Sequence, residues 1–274
     1  MIPHDEEPEH TAAAGEAPTP GMGLGGGRYR VLYRVEEPYE STGHTDLIRT
    51  LYAAFEEAGL PVETSGVKHP RPKVAFGPPL PTCCTSDGEY FDLDLKRGLD
   101  DLVERLNSVL PPGLRVVRTE RIDTKTAPLS SVIEAAEYCL FIPTEVMSSE
   151  SLDGRLAWFA GERLWQVQRV SSKGTEKTID LKRAVVRWSY AAAEGGSVAR
   201  ITAKLNDQEG HNANPALILS GLFRLPEEQA ALVRVRRVEF YDANGQPLSR
   251  ANWRRKRSRS LHTKSFEYLR YLDR

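Results

Sequence analysis

Residues 28–61 read RYRVLYRVEEPYESTGHTDLIRTLYAAFEEAGLP, and a change of period inside this stretch decides the fold class. From Arg28 to Glu37 apolar and polar residues alternate, the pattern of a strand with one buried face. From Gly43 the period lengthens: Leu47, Ile48, Leu51, Tyr52 and Phe55 recur at helical spacing and form one apolar stripe. Gly59 stands where a left-handed C-cap is wanted, and Pro61 forbids continuation.

Working outward, PVETS (61–65) and PKVAFG (72–77) predict short strands, and EYFDLDLKR (89–97) alternates again. A second helical stripe runs through Leu99, Leu102, Leu106 and Val109, with Asp101 and Glu104 in the positions of a capping box. GLRVVRTERID (113–123) returns as a strand. Strand, helix, two or three strands, helix, strand is the ferredoxin-like split β-α-β order, in which two helices cover one face of an antiparallel sheet.

The chain then repeats that order. AAEYCLFIPTE (135–145) predicts a strand and SESLDGRLAWFAG (149–161) a helix. WQVQRVS, TIDLKRAVVRWSY and ARITAKL read as strands, and NPALILSGLF (214–223) as a helix with Pro215 in its first turn. VRVRRVEFYD (233–242) closes the unit. The expectation is an α+β protein with antiparallel sheets: a ferredoxin-like domain over 28–123 and a second ferredoxin-like half over 135–246. Residues 1–27 lack apolar periodicity and are expected to be a disordered acidic tail. Residues 251–274 form a basic tail in which Phe266, Leu269 and Leu272 have the spacing of a short docked helix.

Net charge is −1, but it is unevenly laid out. Residues 1–27 hold five acids and no Lys or Arg, whereas residues 252–274 hold eight bases against two acids. A basic tail of that kind is a footprint for RNA or another polyanion. No run reaches the roughly 18 apolar residues of a membrane span, and the acidic start has no signal-peptide character, so a cytoplasmic protein is expected. Three cysteines (Cys83, Cys84 and Cys139) supply neither a disulfide framework, nor the CxxC pairs of a structural zinc site, nor an iron–sulfur triplet. No metal or cofactor is expected in this chain.

Two places invite chemistry. His44 and Asp46 open the first predicted helix, where backbone N–H groups favour an anion, and Arg49 lies one turn on. A first-turn acid pairing at i,i+3 explains Asp46 and Arg49 without any function. The second place is SGVKHPRPKVAFGPPLP (65–81), where five prolines stiffen Lys68, His69, Arg71 and Lys73. Rigid cations make a preorganised anion platform, but prolines and lysines also guard sheet edges. His44, Asp46 and His69 are the candidates for acid–base work, and a common site requires the proline stretch to converge on the helix start.

Gly43-His44-Thr45-Asp46-Leu47, Arg49, Ala58-Gly59-Leu60-Pro61, Ser65-Gly66, Pro70-Arg71-Pro72-Lys73, Phe76, Leu80-Pro81, Ser86 and Glu89-Tyr90 keep a shared order over about fifty residues. In these the chain resembles the radical SAM-linked protein family, a domain of unknown function fused to, or encoded beside, radical SAM proteins with a cobalamin-binding-type domain. The family pattern has Ser and Leu where Gly43 and Thr45 stand, and a glycine where Cys83 stands. Its histidine in the proline stretch falls at Arg71, which cannot serve as a general base. The resemblance implies a radical SAM protein as partner, itself carrying the iron–sulfur cluster and SAM. Three readings follow. The first is an accessory protein binding RNA or an RNA–protein substrate through Arg49, Lys68, Arg71, Lys73 and the tail residues Arg254, Arg255, Lys256, Arg257 and Arg259. The second is a metal-independent ribonuclease using His44 and Lys73. The third is a protein-interaction module for the radical SAM partner, without nucleic acid.

Overall fold

The alternation that opens the chain builds the first core. In the computed structural model, which describes residues 25–66, 68, 70–170, 174–205 and 210–251, strand β1 spans Gly25–Val35. Tyr29, Val31, Tyr33 and Val35 are buried beneath α1 (His44–Glu57) through Leu47, Leu51 and Phe55. Gly59 adopts φ +62 and closes the helix. Leu60 N–H donates to Phe55 O and Gly59 N–H to Glu56 O, both at 3.0 Å, the pair of bonds a left-handed cap provides.

β2 (Thr64–Ser65) and β3 (Arg71–Pro72) form a small ribbon, and β4 (Val74–Phe76) leads to the long β5 (Cys84–Arg97). α2 (Leu102–Val109) and β6 (Leu114–Ile122) complete the unit. Asp101 occupies the N-cap of α2 but bonds no backbone N–H there; its carboxylate takes Arg105 at 2.8 Å instead, so the expected capping box does not form. The strand order is β4-β5-β1-β6 with every neighbour antiparallel, which places β5 between β1 and β4, and β1 between β5 and β6. That is the split β-α-β order.

A connector carrying α3 (Leu129–Val132) leads into β7 (Ala135–Pro143) and α4 (Ser149–Gly161), whose first turn is capped by Ser148 Oγ accepting from Ser151 N–H. A hairpin of β8 (Gln166–Val170) and β9 (Glu176–Asp180) precedes the helical turn α5 (Leu181–Ala184), β10 (Val185–Ala193) and β11 (Gly196–Lys204). TIDLKRAVVRWSY is therefore not one strand. Asp180 Oδ1 accepts from Lys182 N–H and from Trp165 N–H, and this cap turns the chain between two strands. α6 (Pro215–Leu217) runs on as a π turn over Ile218–Leu222, with Asn214 Oδ1 accepting from Leu217 N–H. After α7 (Glu227–Ala230) comes β12 (Arg234–Tyr241), followed by a 3-10 turn over Leu248–Arg250 that buries Leu248 in the core.

The second half has order β10-β11-β7-β12, again antiparallel throughout. The two halves meet where β12 pairs parallel with β5 over only Val235–Arg237 and Cys84–Ser86, making one eight-stranded sheet. The first strand begins at Gly25 and not at Arg28, since Gly25 and Gly27 pair with Arg97 and Leu95.

The polar face of the first half is not all open to water. Asp92 and Asp94 alternate with Phe91, Leu93 and Leu95 of the core, and Asp92 is buried against Arg30 in a two-bond pair (2.7 and 2.8 Å). The connector lies over this face: Arg30 Nη2 donates to Ala127 O and Arg28 Nη1 to Thr124 O.

Cys83 sits at φ +63, left-handed backbone that disfavours any residue with a Cβ. The position where the resembling family carries glycine therefore has a conformational reason. Cys83→Gly is expected to stabilise the protein by roughly 0.5–1 kcal/mol, the relief of strain less glycine's larger unfolded-state entropy. A urea midpoint equal to or below that of the unaltered chain would refute this.

Candidate nucleic-acid interface

In the second half, alternation sends Ala136, Tyr138, Leu140 and Ile142 of β7 into the core with Leu152, Leu156 and Phe159 of α4. The intervening residues Glu137, Cys139 and Phe141 face the other way. Their cross-strand partners are Thr202, Arg200 and Val198 on β11, and Arg236 and Arg234 opposite Cys139 and Phe141 on β12. Arg187 lies opposite Thr202 on β10. Four exposed arginines thus share one sheet face: Arg187, Arg200, Arg234 and Arg236.

Glu137 organises two of them. Its carboxylate accepts from Arg187 Nη2 (3.1 Å), Arg200 Nη1 (3.0 Å) and the Tyr241 hydroxyl (2.7 Å). Burial works to raise the Glu137 carboxyl, but the Tyr241 hydroxyl and the two guanidiniums outweigh it and hold the group below the usual carboxylate range. The same hydrogen bond raises Arg200, so both stay ionised. One carboxylate then fixes two cations, leaving positive charge in excess. Arg236 reaches Asp87 at 3.4 Å, a pair whose side chains are both more than a third exposed. Arg234 lies over the Phe141 ring (4.5 Å) and Arg187 over Tyr241 (5.5 Å). Exposed pairs of this kind are worth little, about 0–1 kcal/mol, so an incoming phosphate can recruit these guanidiniums. An open concavity of about 360 Å³ adjoins them, lined by Glu137, Arg200, Glu239, Tyr241, Ser249 and Arg250 among others, so a second carboxylate stands opposite Glu137 on this face. Cys139 stands between Arg200 and Arg236, and burial pushes its thiol up, away from thiolate chemistry.

A family described as uncharacterized protein conserved in bacteria (DUF2344) matches residues 28–215. The chain belongs to the DUF2344 family. The DUF2344 match covers Glu137, Arg187 and Arg200 and stops short of Arg234 and Arg236. No curated protein matches this DUF2344 member. Among solved structures, an unknown protein from Galdieria sulphuraria is similar at 14% identity over 77% of this chain and 96% of its own, with a TM-score of 0.23. The acetolactate synthase small subunit from Thermotoga maritima is similar at 12% identity over 77% and 93%, with a TM-score of 0.21.

The residues singled out from the sequence lie elsewhere in the DUF2344 fold and do not form one site. Arg49 pairs with Asp46 at 2.7 Å on the exposed start of α1, where His44 is half-buried. Lys73 of the proline stretch lies toward the other end of that helix, and the stretch then runs back along β5 through Val74–Phe76 to Pro79, whose carbonyl accepts from Arg237. Pro61 O accepts from Lys96 N–H and Lys73 O from Asp94 N–H, at the far end of β5, whereas Cys83 N–H donates to Glu40 O near the helix start. A helix of 14 residues separates the two by about 20 Å. Lys73 also points across the opposite sheet face, its Nζ 2.7 Å from the Asp94 carboxylate that Arg28 holds as well. The convergence expected from sequence is therefore corrected, and with it the pairing of His44 and Lys73 that strand cleavage required. Lys68 and Arg71 are exposed in the β2–β3 ribbon. His69 and the tail arginines Arg254, Arg255, Arg257 and Arg259, with Lys256, lie outside the described residues.

No group of three or more His, Cys, Asp or Glu among the described residues is arranged to hold a metal, and no described helix is long and apolar enough to cross a membrane. The arginine face was missed in sequence because its members come from three strands. The readable signal was the i,i+2 spacing of Arg234 and Arg236 in RVRRVEFY, which puts both on one side of a strand.

Proposed function

We propose that this DUF2344 protein is a cytoplasmic accessory protein of a radical SAM system, and that it binds RNA, alone or within an RNA–protein substrate, on the arginine face of its second half. The observation that carries RNA binding is the set of four exposed guanidiniums on one open sheet face, two of them oriented by Glu137. Arginine offers phosphate a two-bond fork, and a ferredoxin-like sheet surface is a platform that RNA recognition uses elsewhere. The radical SAM partner rests on the resemblance of residues 43–90. The basic tail would add sequence-independent grip.

Titrating an RNA that carries both paired and single-stranded segments, at several salt concentrations, tests the reading. Binding through about four phosphates predicts a log–log salt slope near −3, and Arg187→Ala with Arg200→Ala should reduce it by about 1.5. Salt-indifferent binding, or no binding, refutes it. Co-purification with a radical SAM protein that survives nuclease and high salt would establish a direct protein contact in place of an RNA bridge.

A further inference from the structure

We infer that the arginine face takes single-stranded RNA with unpaired bases stacked on its guanidiniums, and not duplex; this rests on the RNA reading above. Two of the arginines stand against aromatic rings. Arg234 lies 4.5 Å above the Phe141 ring centre, and Arg187 lies 5.5 Å from the Tyr241 ring centre, where its Nη2 also donates to the Tyr241 hydroxyl at 3.1 Å; both side chains are exposed. A guanidinium with a ring on one side leaves its other side open as a stacking plane, which a nucleobase can occupy. In a duplex that base face is covered by its neighbours, and only phosphates, 2′-hydroxyls and groove edges remain to be read.

The spacing suits one strand. Arg234 and Tyr241 lie seven residues apart on β12, so the two arginine–ring pairs stand about 20 Å from each other, a distance of a few nucleotides. Between them, Arg236 and Arg200 flank Cys139 from its two neighbouring strands. They sit where the phosphates linking two stacked bases would pass. The half-buried thiol of Cys139, kept protonated, adds no opposing charge.

Lysine substitution separates stacking from charge. Arg234→Lys and Arg187→Lys keep one positive charge but lose the plane. The test is fluorescence anisotropy of the full chain with an oligouridylate of about a dozen nucleotides and with a perfectly paired hairpin containing the same number of nucleotides. The expected result is tighter binding of the single strand, and about a tenfold loss for either lysine variant with its salt slope unchanged. Preference for the hairpin, or lysine variants that bind the single strand as tightly as the unaltered chain, overturns the inference and leaves RNA binding standing. Failure of both RNAs to bind overturns both.

Discussion

Arg237→Leu is expected to destabilise the protein by about 3–5 kcal/mol, about a fifth or more of the stability of an ordinary domain. Arg237 is 1% exposed, and it stands on the three-residue parallel seam by which β12 joins β5. Its Nη1 donates to both oxygens of Glu89 at 3.0 Å, and its Nη2 to Pro79 O at 2.8 Å. The guanidinium packs against the rings of Tyr138 and Phe240. Ser86 Oγ supplies Glu89 with a further bond, at 2.7 Å. Leucine would fill much of the volume but strand a buried carboxylate and a prolyl carbonyl. Arg237 stays charged because the attraction of Glu89 outweighs the cost of burial, whereas burial pushes the Glu89 carboxyl up despite its partner.

The pH dependence follows in sign. A carboxyl whose folded pKa is raised binds its proton more tightly when folded, so its contribution favours the native state at low pH and is lost as pH rises through that folded value. Without Arg237 the upward shift grows, so the Arg237→Leu defect should be smaller near pH 5 than at pH 8. Replacing both partners, as Arg237→Leu with Glu89→Leu, should recover much of the loss, because no lone charge remains. Urea midpoints of the single and double variants decide this. A single-variant loss below about 1 kcal/mol would show that the pair contributes little at the seam.

Asp92→Ala carries the second large effect, again about 3–5 kcal/mol, while Asp94→Ala two residues along the same strand should cost about 1 kcal/mol or less. The contrast lies in solvent. The Arg30 and Asp92 side chains are 3% and 4% exposed, so removing the carboxylate strands a guanidinium whose other bond, to Ala127 O, is a long 3.3 Å. Asp94 is held below the usual carboxylate range by hydrogen bonding from Arg28, and its second partner Lys73 is half exposed. Freed by Asp94→Ala, both cations can turn to water. Thermal unfolding of the two variants side by side tests the difference, and equal losses would mean that the connector does not seal Arg30.

Much of the architecture was legible beforehand because periodicity is local. The switch from alternation to a 3.6 spacing at Gly43 located β1 and α1, and the repeat of strand–helix order marked two similar halves. Gly59 and Pro215 punctuated helices for reasons held within a few residues. Where the reading failed, a short side-chain bond intervened: Asp180 caps a turn inside what looked like one strand, and Asp101 prefers Arg105 to the backbone.

The site was far less legible. An exposed arginine and a buried one look alike in sequence, and so do Asp92 and Asp94. What separates them is a partner far along the chain, 62 residues for Arg30 and Asp92 and 148 for Arg237 and Glu89, together with the segment that covers the pair. By itself the sequence determined element order and the two-fold ferredoxin-like plan, since these follow from side-chain period and turn chemistry. Only the tertiary structure decided which charges are sealed, that His44 and Lys73 lie apart, and that arginines from three strands share one face. Those outcomes depend on strand register and on what packs over each face, and neither is encoded in any short window of residues.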